Sequence, residues 1–185
     1  DHNRNFLFEA SVGGGIPIIR PLNQHITADE ICEIAGILNG TTNYILTKMD
    51  KEGADFQTVL AQAQELGYAE RNPSADIEGF DAVRKIAILA SLAYGKSVDF
   101  EDVYTEGITN ITDIDFKYAA AMGKSIKLLG KCKKEANGIV ASVTPRLLSP
   151  SHPLFNVEGV VNGILVRGNM VGDLVFIGSG AGKLP

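Results

Sequence analysis

The stretch Ile86-Ala-Ile-Leu-Ala-Ser-Leu-Ala93 constrains the fold of this chain more than any other feature. It continues a helical pattern that begins near Glu78, and its apolar residues cover the whole circumference instead of one stripe. A helix of that kind has to be buried, so the chain must supply another layer to cover it. Strands in the C-terminal part can do so. Ser125–Lys133 and Ile139–Leu148 read as a hairpin around Asn137-Gly138, a dipeptide that favours tight reversals. Gly159–Val166 and Met170–Ile177 repeat the design around Gly168-Asn169. Ile31–Leu38 reads as a further strand and Phe6–Ala10 as a short one. Helices are predicted over Thr41–Met49, Asp55–Leu66, Glu78–Tyr94 and Ile114–Met122, with Gly53, Gly67 and Gly95 placed to end the first three. Helices in the middle and strands toward the end give an α+β layout.

With 185 residues the chain is long enough for one self-supporting core. The net charge of -5 argues against tracking a phosphate backbone, so no nucleic-acid partner is expected. Cys32 and Cys132 form no CxxC pair, and His2, His25 and His152 have no zinc-ligand spacing. No apolar run is long enough to span a bilayer, and no signal peptide is evident. A membrane role is therefore not expected, and a cytoplasmic location is. The terminal Gly-rich stretch 178–185 and the abrupt start read as the edges of a fragment.

Several local patterns carry chemistry, each beside a plainer alternative. Gly178–Lys183 suggests a phosphate loop, but three residues separate Gly178 from Gly182 where the motif needs four, and Leu184 follows the lysine. No GxGxxG follows a strand, so a dinucleotide fingerprint is missing from this sequence. Asp81 and Lys85 are four apart and share a helix face; this is either a surface ion pair or an amine poised for proton transfer at the mouth of a buried helix. Asn39-Gly40-Thr41-Thr42 opens a helix after a strand, either as a simple N-cap or as an anion-holding helix start. Glu9 precedes three glycines and either pairs locally or joins loop carbonyls around a hard cation.

Taken in order, Glu9-Ala-Ser-Val-Gly-Gly-Gly-Ile-Pro-Ile-Ile19, Gly36-Ile-Leu-Asn-Gly-Thr-Thr-Asn-Tyr-Ile-Leu46 and Gly67-Tyr-Ala-Glu-Arg-Asn-Pro-Ser-Ala-Asp-Ile-Glu-Gly-Phe-Asp-Ala-Val-Arg-Lys85 resemble the homoserine dehydrogenases. His152-Pro-Leu, Asn162 and Gly180-Ala-Gly182 fit as well. The resemblance implies a mixed β-sheet covered by helices on one side, of the glyceraldehyde-3-phosphate-dehydrogenase-like C-terminal domain type. It implies that residues 1–185 form the catalytic, substrate-binding and dimerisation domain, with the N-terminal Rossmann domain outside this sequence. The implied reaction interconverts homoserine and aspartate 4-semialdehyde with NADP or NAD, in a homodimer. Lys85 would move the proton and Asp81 would position substrate beside it. Glu70 and Asp76 would contact the substrate's amino group and hydroxyl side, Gly40 and Thr41 would hold its carboxylate, and Tyr68 would line the pocket. Gly180, Ala181 and Gly182 would face the nicotinamide. Glu9, with the carbonyls of Val12, Gly14 and Ile16, would hold a monovalent cation, Na or K. Val160, Val161, Ile164 and Val166 are apolar enough to suggest strands that pair subunits. Because the oxidising direction needs a neutral amine at Lys85, that direction is expected to run faster at alkaline pH.

Overall fold

The structure, a computed structural model, describes residues 8–26 and 29–180. Its elements run β1 (Ile31–Ile37), α1 (Gly40–Glu52), α2 (Phe56–Glu65), α3 (Ser74–Ile77), α4 (Phe80–Tyr94), β2 (Tyr104–Thr105), α5 (Asp113–Ala121), β3 (Ser125–Glu135), β4 (Gly138–Leu148), β5 (Val161–Gly168) and β6 (Gly172–Ser179). The six strands form one sheet in the order β2-β4-β3-β1-β5-β6. β2 is parallel to β4, and every other pairing is antiparallel, so the sheet is mixed. The expected strand at 6–10 does not form over residues 8–10, where the chain enters a turn instead.

The helices line one face. α1 contributes Tyr44, Ile45, Leu46 and Met49, α2 contributes Phe56, Val59 and Ala63, and α4 contributes Ile86 and Leu89, all meeting Ile34, Ile126, Leu128, Val143, Ile164 and Val166 of the sheet. The apolar half of α4 is sunk as its composition requires, but Ile88 and Leu92 remain half-buried. They wall a groove of about 450 Å³ with Phe8, Val98 and Phe100. Asp55 caps α2 by accepting from Thr58 N at 3.0 Å, and Gly53 and Gly95 end α1 and α4 in the left-handed conformation.

The opposite face is covered by the strap 149–160, whose Leu154 and Val157 pack on Ile37, Leu129, Leu148 and Leu165. Two buried polar side chains tie the strap down. Lys127, 2% exposed, donates to the Val157 carbonyl at 2.7 Å, and Asn43 donates to the Val157 and Val161 carbonyls. Burial pushes the Lys127 ammonium's pKa down, and the charges of Glu158 and Asp50 oppose that shift. The strap matters to function because it delivers Val160 and Asn162 to the edge of the cleft described next.

Beyond the strap this face is open. Val175 and Ile177 of β6, opposite Leu165 and Gly163, are 40% and 57% exposed. Ile164 and Val166, by contrast, are fully buried against the helices, so they cannot form a subunit contact. The continuous apolar run of β5 concealed which residues faced which side.

Candidate active site

One polar cleft of about 620 Å³ opens where β1 passes into α1. Leu38 and Asn39 make the connection, and Asn39 caps the helix from an extended backbone (φ -133, ψ 119). Its Oδ1 accepts from Thr42 N at 2.9 Å and from Thr42 Oγ1 at 3.1 Å. The first intrahelical bond is from Asn43 N to Asn39 O, which leaves the Gly40 and Thr41 N–H groups for the cleft. Gly40 has to be glycine: a Cβ there would lie 2.8 Å from the Val160 carbonyl oxygen of the strap. The Thr41 hydroxyl donates to the Tyr68 carbonyl at 2.6 Å, and the Tyr68 ring sits 5.0 Å from that of Tyr44. The anion-holding capacity therefore resides in two main-chain amides and the positive end of a helix of 13 residues.

The acids and the amine come from α3 and α4. Gly79, at φ 83, turns the chain between them, so Asp76 at the end of one helix and Asp81 at the start of the next face the same hollow. Lys85 lies one turn further along α4. Its Nζ donates to Asp81 Oδ2 at 2.7 Å and to the Leu38 carbonyl at 3.0 Å. Two of its three N–H groups are thus fixed, and the third is left for the cleft it lines. Asp76 Oδ1 and Asp81 Oδ2 both accept from Asn39 Nδ2, at 2.7 and 2.9 Å. The Asp76 carboxyl is pushed above the ordinary range, chiefly by burial. The Asn39 hydrogen bond and Lys85 oppose the shift, and the charges of Asp81 and Glu70 add to it.

A carboxyl whose pKa rises on folding stabilises the fold below its unfolded value, here 3.8, and that contribution is lost as pH rises through the folded value. Asp76→Asn keeps an oxygen for Asn39 and removes the buried charge. This variant is expected to melt at a higher temperature than wild type at pH 7, with the gap closing below pH 3.8. Thermal denaturation across that range checks it.

The structure thus brings together Gly40, Thr41, Tyr68, Asp76, Asp81, Lys85 and Gly180 of the sequence-predicted residues. Glu70 is exposed and does not line the cleft, although its charge reaches Asp76. Ala181 and Gly182 lie outside the described residues. Gly178 and Ser179 are paired strand residues opposite Asn162 and Val161, an arrangement unlike a phosphate loop. Three participants went unassigned from the sequence: the Asn39 amide, the Leu38 carbonyl and Asn162. Asn162 is 1% exposed, and its Nδ2 donates to the same Leu38 carbonyl at 3.2 Å. Two signals mark it in the sequence: a polar residue inside an apolar run, and a place among the residues that carry the family resemblance.

The triple glycine has a steric cause. A Cβ on Gly14 would fall 2.3 Å from the Gly180 carbonyl oxygen, and Gly15 N donates to Ser179 O at 3.1 Å. This loop is pressed against the end of β6, one wall of the cleft. The Glu9 carboxylate accepts from the N–H groups of Ile18, Ile19 and Arg20 at 2.7, 2.7 and 2.9 Å. Three main-chain amides at residues 18–20 thus hold its oxygens, and main-chain carbonyls are this loop's other possible donors to a cation.

The fold and the cleft define an α+β domain that can hold a small zwitterion: amides for its carboxylate, acids for its ammonium and an anchored amine for a third group. The chain belongs to the homoserine dehydrogenase family, whose sequence model matches residues 17–185. It is 51% identical to the homoserine dehydrogenase of Synechocystis sp., covering 100% of this chain and 43% of that protein. It is 48% identical to that of Bacillus subtilis, covering 96% and 41%. It is also similar to a crystal structure of a homoserine dehydrogenase from Thiobacillus denitrificans, with TM-score 0.92 and 48% identity over 95% of this chain and 41% of that one. A hyperthermophilic archaeal homoserine dehydrogenase mutant in complex with NADPH gives TM-score 0.79 at 35% identity, covering 95% and 50%. The chain spans about two fifths of the length of the curated relatives it matches.

Proposed function

We propose that residues 1–185 are the catalytic, substrate-binding and dimerisation domain of an NAD(P)-dependent homoserine dehydrogenase, whose nucleotide-binding domain lies outside this sequence. The reaction interconverts L-homoserine and L-aspartate 4-semialdehyde, serves threonine, methionine and isoleucine biosynthesis, and takes place in the cytoplasm. The observation that carries this reading is the convergence of Lys85, Asp81 and Asp76 opposite the free amides of Gly40 and Thr41 in one hollow.

The chemistry follows from that placement. The substrate carboxylate takes the Gly40 and Thr41 amides at the positive end of α1. Asp76 attracts the substrate ammonium, with the charge of Glu70 acting from outside the cleft, and Tyr68 closes the side of the pocket. The hydroxyl oxygen lies against Lys85, which takes its proton in oxidation and returns it in reduction, when the ammonium also stabilises charge growing on oxygen. Asp81 and the Leu38 carbonyl hold the amine in place. When bound, the nicotinamide supplies the hydride acceptor or donor. Gly180 lines the cleft, and with Ala181 and Gly182 it is the segment assigned to the nicotinamide. The residues given to a monovalent cation, Na or K, are Glu9 and, through their carbonyl oxygens, Val12, Gly14 and Ile16.

The whole protein is expected to reduce NAD or NADP in the presence of homoserine. Turnover with neither, together with no homoserine binding by calorimetry, would overturn the assignment. We assign the homodimer contact to the open sheet face at Val175 and Ile177, with Val160 and Val161 at its margin. Light scattering at micromolar concentration is expected to give the mass of two chains, and a monomer contradicts it. Among the described residues no helix is long and apolar enough to cross a membrane.

A further inference from the structure

We propose that Asn39 is the positioning residue of this site, a single side chain that locks the carboxylate-holding start of α1 to both cleft acids so that the two halves of the substrate pocket stay in register. This deepens the proposed function and rests on it. Asn39 is 7% exposed, and four hydrogen bonds use its side-chain amide. The Nδ2 group donates to Asp76 at 2.7 Å and to Asp81 at 2.9 Å, while Oδ1 accepts from Thr42 N and Thr42 Oγ1. The orientation of the amide is not arbitrary. A main-chain N–H only donates and an ionised carboxylate only accepts, so oxygen must face Thr42 and nitrogen the acids.

Each bond serves a different part of the pocket. Oδ1 fixes the turn whose next two amides, of Gly40 and Thr41, meet the substrate carboxylate. The bond to Asp76 sets the acid that meets the ammonium. The bond to Asp81 sets the acid that holds Lys85, and the amine's other acceptor, the Leu38 carbonyl, belongs to the residue just before Asn39. Asn39 therefore connects the carboxylate-holding turn, Asp76 and the acid that holds Lys85. It also separates charge. Asp76 from α3 and Asp81 from α4 share one NH₂ group, with Lys85 of α4 and Glu70 of the preceding loop as the other charged groups facing them.

Neither aspartate nor serine can replace both functions. Aspartate caps a helix as well as asparagine does but offers no donor and adds a third negative charge. Serine keeps a capping oxygen and lacks a second arm. The test uses the whole enzyme with Asn39→Asp and Asn39→Ser. Because the capping oxygen survives in both, the fold is expected to be retained, with a lowered melting temperature in Asn39→Asp from its added buried charge; a calorimetric affinity for NADPH that matches wild type checks that the folded enzyme is intact. For Asn39→Asp, kcat/KM for homoserine is expected to fall about 10²-fold or more, the loss expected from misplacement of about an ångström at a reacting centre. The homoserine KM is expected to rise, and the acid limb of the pH profile to move to higher pH, because Asp76, already raised by burial, then ionises against a further carboxylate in place of a donor. Asn39→Ser should also lose kcat/KM but move the limb less. If both variants keep wild-type kcat/KM and the wild-type pH profile, Asn39 is only a helix cap and the proposal fails. A wild-type enzyme that turns over homoserine while these variants are indifferent sinks this inference alone; a wild type with no homoserine turnover sinks the function beneath it.

Discussion

Replacing Lys85 by alanine in the whole enzyme is expected to lower kcat for homoserine oxidation by roughly 10²–10⁴-fold, the range supplied by a positioned proton-transfer group. The fold should survive the change. The partners the amine leaves behind are not stranded: Asp81 keeps its hydrogen bond from Asn39 Nδ2, and the Leu38 carbonyl keeps the one from Asn162 Nδ2. The loss is therefore expected in turnover and not in melting temperature. Lys85→Arg should not restore oxidation, because a guanidinium keeps its charge at any working pH and cannot accept the hydroxyl proton. Steady-state rates for the three proteins decide the matter, and a Lys85→Ala enzyme with near wild-type kcat removes the amine from the mechanism.

The largest expected effect on stability comes from a residue that touches no substrate. Gly107 packs directly on the link between α3 and α4. A Cβ there would lie 2.2 Å from the Ile77 carbonyl oxygen and 2.5 Å from the Glu78 Cα. Both obstacles are main chain, so no side chain can swing aside, and Ile108 N is bonded to that same Ile77 carbonyl at 2.8 Å. Gly107→Ala must push apart the segment that carries Asp76 and Asp81. Overpacking of this kind costs typically about 1–3 kcal/mol, and a backbone obstacle places this case at the upper end or beyond. Denaturant unfolding should show a clearly lower midpoint, and homoserine affinity should fall with it, because the two acids shift relative to Gly40 and Thr41. A variant with unchanged midpoint and unchanged affinity would show that the 107 loop yields freely.

The same geometry explains which parts of this molecule were legible from sequence. Periodic segments locate α2, α4 and α5 to within two residues and α1 to within three, its last turn running on to Glu52, and Asn137-Gly138 locates the β3–β4 hairpin. Misses occurred where local pattern carries little information. The four residues of α3 show no period, and the two of β2 pair in parallel with β4, a contact no neighbouring residue announces. The sequence of β5 suggests an interface at Ile164 and Val166 because the strand is apolar on both faces, one against the helices and one under the strap. In the site, Asp81 and Lys85 were readable as a pair from their spacing, and the Gly40–Thr41 start from the capping signal. The clasp formed by Asn39 was not. Its partners lie 37 and 42 residues away, and a residue that already explains itself as an N-cap gives no hint of a second role. Glu9 likewise revealed its acidic character but not that three main-chain amides would claim it.

Crystals of the whole enzyme soaked with homoserine test the convergence at Lys85 most directly. The expected density places the substrate hydroxyl oxygen about 3 Å from Lys85 Nζ, the carboxylate on the Gly40 and Thr41 amides, and the ammonium toward Asp76. Homoserine bound elsewhere, or bound here with its hydroxyl turned away from Lys85, contradicts the account.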